Sequence, residues 1–132
     1  MGIDLVGNLT LGSRDLNSKI TNQNIASKIH ITSSKGVISG ISAMRTGNVI
    51  SIAFILTLNQ SVSAGSSLGC TATFDDSALK PIARHIGGTS ISNVDTINID
   101  PTASGASLNA NARDALGHGL AFWLLYTYIC EG

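Results

Sequence analysis

Gly47-Asn-Val-Ile-Ser-Ile-Ala-Phe-Ile-Leu-Thr-Leu-Asn-Gln60 is the stretch whose reading decides the fold class of this chain. Read with period two, it puts Ile50, Ile52, Phe54, Leu56 and Leu58 on one face and Ser51, Ala53, Ile55 and Thr57 on the other. Helical spacing would scatter the same apolar residues around the whole cylinder. β-branched residues are frequent, and Gly47-Asn48 opens the run with turn chemistry, so the stretch reads as a long central strand of an all-β domain. The second face is only half polar, which predicts that this side is covered as well.

Its counterpart lies at the C-terminal end, in residues 120–130. Leu120, Phe122, Leu124, Tyr126 and Tyr128 share one face, and Ala121, Trp123, Leu125 and Ile129 share the other. A strand apolar on both faces needs two apolar environments. One is the core, and the other is a second sheet or a subunit interface, which the scarcity of charge favours.

Between and around these two runs the punctuation is that of a β-protein. Residues 29–32 form a short strand, turned by Ser33-Ser-Lys-Gly36, and residues 37–45 form a second one, broken by Gly40. Thr46-Gly47-Asn48 makes a hairpin into the central strand. A Ser- and Gly-rich loop over 61–67 leads to a strand over 68–74, with Leu68, Cys70, Ala72 and Phe74 on one face. After the turn Asp75-Asp76-Ser77, Pro81 restricts residues 79–86 to an edge strand, and Gly87-Gly88 breaks it. Residues 91–100 follow, with Ile97 and Ile99 together and Val94 opposite, then a weak strand over 106–110 and a polar loop over 111–117. The pattern predicts an antiparallel β-sandwich or barrel over residues 29–132. Residues 1–28 lack a sustained period. Leu16, Ile20, Ile25 and Ile29 give a weak helical stripe with Ser13 as N-cap, so this segment reads as a linker or a self-associating neck.

Composition narrows the function classes. Hydrophobic residues make up 43% and charged residues 12% of the 132, too few charges for a helical bundle and few enough to favour burial of apolar surface in an oligomer. Formal net charge is zero, from 8 basic and 8 acidic residues without a basic stripe, which argues against nucleic acid as partner. The apolar run over 120–130 is too short to span a bilayer, so no membrane insertion is expected. The N-terminus has no basic and apolar signal-peptide pattern, which predicts cytoplasmic synthesis. Cys70 and Cys130 fall inside apolar strand patterns and read as buried free thiols.

Gly65-Ser-Ser-Leu-Gly69 matches the G-x-S-x-G nucleophile pattern, but a strand-like run follows it where the motif needs a helix. His30, His85 and His118 lack zinc-site spacing, and Asp75-Asp76 lacks the later acidic ligand of a calcium loop. Neither a metal nor a cofactor is expected. Polar and aromatic residues remain near predicted strand ends: Arg84, His85, Arg113, Asp114, His118 and Trp123, with Asp75 and Asp76. A saccharide site needs an aromatic face against the sugar's C–H surface and carboxylate, amide, Arg or His groups for its hydroxyls. These types are present. Trp123, set among large hydrophobes, reads more readily as core or interface, and Asp75-Asp76 more readily as exposed turn residues.

Arg45-Thr-Gly-Asn-Val-Ile-Ser-Ile, the Leu58-Asn-Gln-Ser-Val-Ser-Ala-Gly65 that follows, the edge piece at Lys80-Pro81, the turn Ser104-Gly-Ala-Ser-Leu-Asn109 and a final aromatic strand over 122–128 together resemble a known family. It is that of the receptor-binding head domains of phage baseplates and tail fibres from Gram-positive hosts, and the resemblance covers residue 29 to the C-terminus. It implies a homotrimer of β-barrel heads on a neck, carried in the virion tail beside other tail or baseplate proteins, adsorbing to host cell-wall saccharide without enzymatic activity. Ala78-Leu-Lys-Pro81 stands where many fibre tips carry Pro-Gly-Tyr-Arg-Pro, so no binding residue is transferred by motif. The competing readings are a structural baseplate or fibre module of the same fold without a ligand, and a small hydrolase using Ser67.

Overall fold

The structure, a computed structural model, describes residues 22–132. Among these residues nine strands form one antiparallel sheet: β1 (Gln23–Asn24), β2 (Ile29–Ser33), β3 (Gly36–Thr46), β4 (Val49–Leu58), β5 (Cys70–Phe74), β6 (His85–Thr89), β7 (Val94–Pro101), β8 (Gly105–Ala112) and β9 (Ala121–Ile129). Single 3-10 turns occur at Ala26–Lys28 and Ser77–Leu79. The order β1-β3-β4-β9-β6-β7-β8-β5-β2 curls into a half-barrel, as the alternation predicts. No helix among the described residues is long and apolar enough to cross a membrane.

β4 and β9 pair in register from Val49↔Ile129 to Thr57↔Ala121 and line the core together. Ile50, Ile52, Phe54, Leu56 and Leu58 face Phe122, Leu124, Tyr126 and Tyr128, and all are buried. The rings of Phe54 and Tyr126 stack with centroids 6.1 Å apart. From the other half of the sheet come Leu68 just before β5, Cys70 and Ala72 on β5, Leu108 and Ala110 on β8, and Ile99 on β7. Two large polar side chains sit in this core, and each has a partner. The Tyr126 hydroxyl donates to the Asn109 carbonyl at 3.0 Å, and that of Tyr128 to the Leu79 carbonyl at 2.7 Å. Burial pushes both phenols well above their ordinary range. Cys70 and Cys130 are buried free thiols, as their strand pattern indicates.

Two bulges let interrupted patterns feed this core. In β3, Ser39 pairs with Ile55 and Ser42 with Ala53, so one extra residue is inserted around Gly40, whose φ is +62°. Gly40 therefore bulges the strand and does not break it. In β7, Asp95 pairs with Asn111 and Asn98 with Asn109, which again leaves one extra residue, with Thr96 at φ +56°. Strict alternation would send Val94 and Ile99, five positions apart, to opposite faces. The bulge brings both inside, contrary to the predicted opposition of Val94.

β6 departs most from the sequence reading. The edge strand expected over 79–86 is instead a 3-10 turn, an isolated bridge from Pro81 to Cys130, and then a strand that runs straight through Gly87-Gly88. The reason is close packing. His85–Ile86 pair with β7 and Gly87–Thr89 with β9, so β6 joins the two halves of the sheet. A Cβ on Gly87 would lie 2.5 Å from the Leu125 carbonyl oxygen and 2.8 Å from both Ile97 Cγ2 and Tyr126 Cδ2. Only glycine admits that crossing.

The β-domain also begins before residue 29. Gln23–Asn24 pair with β3, Ile25 is buried and donates its N–H to the Ala43 carbonyl, and Asp75 donates to the Lys28 carbonyl. Residues 22–28 thus join one edge of the sheet to the other, so the part of the expected neck that is described belongs to the barrel. The rest of the segment expected as a linker or neck, residues 1–21, lies outside the described residues.

Two measurements check this account of the fold. Deleting residues 1–21 should leave the melting transition cooperative, whereas deleting 1–28 removes a buried isoleucine and should cost about 2–5 kcal/mol in urea unfolding. Gly87→Ala should destabilise by about 1–3 kcal/mol through overpacking. Gly88→Ala, whose Cβ meets nothing within 4 Å, should be close to neutral.

Candidate functional site

Antiparallel pairing fixes where each outward side chain stands, and the two halves of the sheet present different outer faces. Across β3, β4 and β9 the outward rows are Val37, Thr57 and Ala121; Ser39, Ile55 and Trp123; Ser42, Ala53 and Leu125; Met44, Ser51 and Thr127; and Thr46, Val49 and Ile129. None of these side chains carries a charge. Trp123, Leu125, Ile129 and Val49 are each 40–45% exposed, a large apolar area for the outside of a small domain.

The outer face of the other half is mainly polar, with Ile86 of β6, 83% exposed, standing beside Asn98 of β7. Asp100, Ser107, Thr71 and Thr32 line up across β7, β8, β5 and β2, and Asn98 stands opposite Asn109 in the neighbouring row. Hydrogen bonds knit it together. Asn109 donates to Asn98 Oδ1 at 2.6 Å and to Asp100 Oδ2 at 2.9 Å, while its own Oδ1 accepts from Ser107 at 2.7 Å. Arg84 grips Asp100 with two parallel bonds, Nε to Oδ1 at 2.7 Å and Nη2 to Oδ2 at 2.6 Å. The guanidinium holds the Asp100 carboxyl below its ordinary range, and the carboxylate raises Arg84 in turn.

The eight residues singled out from the sequence fall into separate groups. Arg84 and His85 lie where the chain enters β6, at the end of the barrel that also carries the Asp75-Asp76 turn. There Arg84 is bound to Asp100, while His85 Nδ1 lies 2.9 Å from the Ala83 carbonyl. Asp75 Oδ1 lies 2.9 Å from His30 Nε2 in an exposed pair, and Asp76 caps the following 3-10 turn by accepting from Ala78 N–H at 2.9 Å. Arg113, Asp114 and His118 occupy the loop between β8 and β9, at the opposite end. Arg113 and Asp114 pair with each other at 3.3 Å, and Asn93 donates to the Asp114 carboxylate at 3.3 Å, tying this loop to the one between β6 and β7. His118 is exposed, in a loop anchored by reciprocal backbone bonds between Val62 and Leu116. Trp123 is on the charge-free face, where Ser90 and Thr89 bond its backbone carbonyl. One end of the barrel thus gathers Arg84, His85, Asp75 and Asp76, and the other gathers Arg113, Asp114 and His118.

Asn98, Asp100, Ser107 and Asn109 were not among the sequence candidates. Their signal is the alternation Asn98-Ile-Asp100 and Ser107-Leu-Asn109, in which the polar members face away from Ile99 and Leu108. Pairing of β7 with β8 is what makes one group of them.

The nucleophile motif loses its context in the structure. Ser67 forms an isolated bridge with Asn111, its hydroxyl accepts the Gly69 N–H at 3.1 Å, and strand β5 follows. That is a local turn leading into a sheet, not the strained strand-to-helix elbow that exposes a catalytic serine. Burial pushes the Cys70 thiol up to about 11, so it stays protonated at neutral pH and is a poor nucleophile. Among the described residues no group of three or more His, Cys, Asp or Glu side chains is placed to hold a metal ion.

No protein-family model, curated protein or solved structure matches the chain.

Proposed function

We propose that this chain is the head domain of a phage receptor-binding protein, a non-enzymatic homotrimer that adsorbs a virion tail to host cell-wall saccharide. The observation that carries the reading is the contrast between the two outer faces of one curled sheet. The β3–β4–β9 face offers several half-exposed large apolar side chains and no charge, which suits another copy of the same surface. A charged partner would gain nothing there. Completing the burial of Trp123, Leu125, Ile129 and Val49 contributes roughly 1 kcal/mol for each side chain, enough when repeated around a closed cyclic axis. The β7–β8–β5–β2 face offers hydroxyls, amides, the His30 imidazole beside Asp75 and the Arg84–Asp100 ion pair, which is the chemistry of sugar hydroxyls. The resemblance over residues 29–132 points the same way.

Single hydroxyl contacts contribute about 1 kcal/mol net, so one head binds weakly and several heads together bind firmly when the wall polymer bridges them. The test has two arms. Light scattering on the full chain should give the mass of three chains of 13.6 kDa, and Leu125→Lys should dissociate the assembly while leaving each barrel folded by circular dichroism. A stable monomer at micromolar concentration would remove the trimer. Incubation with Gram-positive cell walls should retain the protein without release of reducing ends or acyl products. Absence of retention would leave a structural tail module, and product release would point to an enzyme.

A further inference from the structure

The network around Asn109 leaves a particular set of hydrogen-bonding positions open. Asn109 spends both amide hydrogens, on Asn98 and Asp100, so the orientation of its amide is fixed from within the fold. An ionised carboxylate offers about four acceptor positions, and Asp100 uses three, for Arg84 Nε, Arg84 Nη2 and Asn109. A guanidinium has five N–H donors, of which Arg84 spends two, and its side chain is 66% exposed. Asn109 Oδ1 accepts once, from Ser107, and keeps a second lone pair. Free acceptors and free donors therefore lie side by side on one rigid pair of strands.

A hydroxyl group both donates and accepts, and two neighbouring hydroxyls on a ring match a patch where a carboxylate and an amide oxygen adjoin a guanidinium. Charge argues in the same direction. Arg84 and Asp100 neutralise each other, so the patch attracts neither a phosphate nor a cationic ligand on balance. Backbone strain marks the same place: Thr96, a β-branched residue, is held at φ +56° two positions before Asn98. Left-handed backbone at such a residue costs about 1–3 kcal/mol and concentrates at ligand sites.

We propose that the outward face of β7 and β8, formed by Asn98, Asp100, Ser107 and Asn109 with Arg84 at its margin, is the subsite that takes a vicinal diol of a neutral saccharide. This assignment rests on the saccharide-binding reading above and gives it a location. The subsite lies on the half of the sheet away from the charge-free face, so association of copies through that face leaves it open.

The test is nitrogen-15 NMR on the full chain, titrated with methyl glycosides of glucose, galactose, mannose, rhamnose and N-acetylglucosamine, beside the wall-retention assay. At least one glycoside should shift the side-chain amide resonances of Asn98 and Asn109 saturably. Asp100→Asn and, separately, Asn98→Ala should weaken that binding about tenfold or more while the amide spectrum remains that of a folded barrel. Arg113→Ala, at the other end, should leave it unchanged. Saturable shifts confined to the loop of Arg113 and His118 or to Trp123 would overturn the location and leave the saccharide reading standing. Retention on walls with no glycoside shifting Asn98 or Asn109 would do the same. No retention and no shift would overturn both.

Discussion

Everything in this barrel depends on β9 being able to bury one face while paired on both edges. It lies between β4 and β6, and Phe122, Leu124, Tyr126 and Tyr128 reach from it into the space enclosed by the curl. The two tyrosines impose the sharpest condition. A phenol buried without a partner costs on the order of 1–3 kcal/mol, so the fold must bring a carbonyl to each hydroxyl. Asn109 and Leu79 supply them, from strand β8 on the far side of the core and from the turn that ends at Leu79. The Asn109 carbonyl so engaged belongs to the residue whose side chain organises the polar outer face. Core and surface are coupled at that residue, and the proposed diol subsite inherits the rigidity of the core behind it.

Closure relies on small devices. A glycine at 87 lets β6 pass from one half of the sheet to the other at a separation that no side chain permits. The 3-10 turn at Ala26–Lys28 joins β1 to β2, which stand at opposite ends of the strand order, so the two edges of the curl are held by the chain itself. β1 is only two residues long, which limits the open edge it presents to other chains.

Much of this was legible in the sequence because period two is a strong signal when one face is buried. The inward sets of β4, β5 and β9 follow from alternation alone, as do the hairpin at Gly47 and the bulk of the β2 and β3 boundaries. Three features were not. Gly87-Gly88 carries the composition of a break, and only the nearness of Leu125 and Tyr126, some forty residues on, makes those glycines part of a strand. The bulge at Thr96 has no glycine to announce it, so alternation alone puts Val94 on the wrong face. Ile25 reads as part of a weak helical stripe because its partner strand follows it by almost twenty residues. The functional candidates suffered from the same distance problem. Residues adjacent to glycine-rich turns are near strand ends, but sequence does not say which end of the barrel, and the structure divides them between both. Arg84 was identifiable by type. Its grip on Asp100 and, through it, on Asn109 required the pairing of β7 with β8.

The central claim is a division of labour between two outer faces, the charge-free one meeting other copies and the polar one left free for ligand. Trp123 is the sole tryptophan of the chain and stands on the charge-free face, so its fluorescence reads that face alone. Acrylamide quenching across a dilution series of the full chain is therefore the most direct measurement. The account predicts that Trp123 is shielded at micromolar concentration, becomes quenchable on dilution or when Leu125→Lys is introduced, and is not shielded further by added saccharide. A tryptophan equally quenchable at every concentration, or one protected by saccharide, would contradict the assignment of that face.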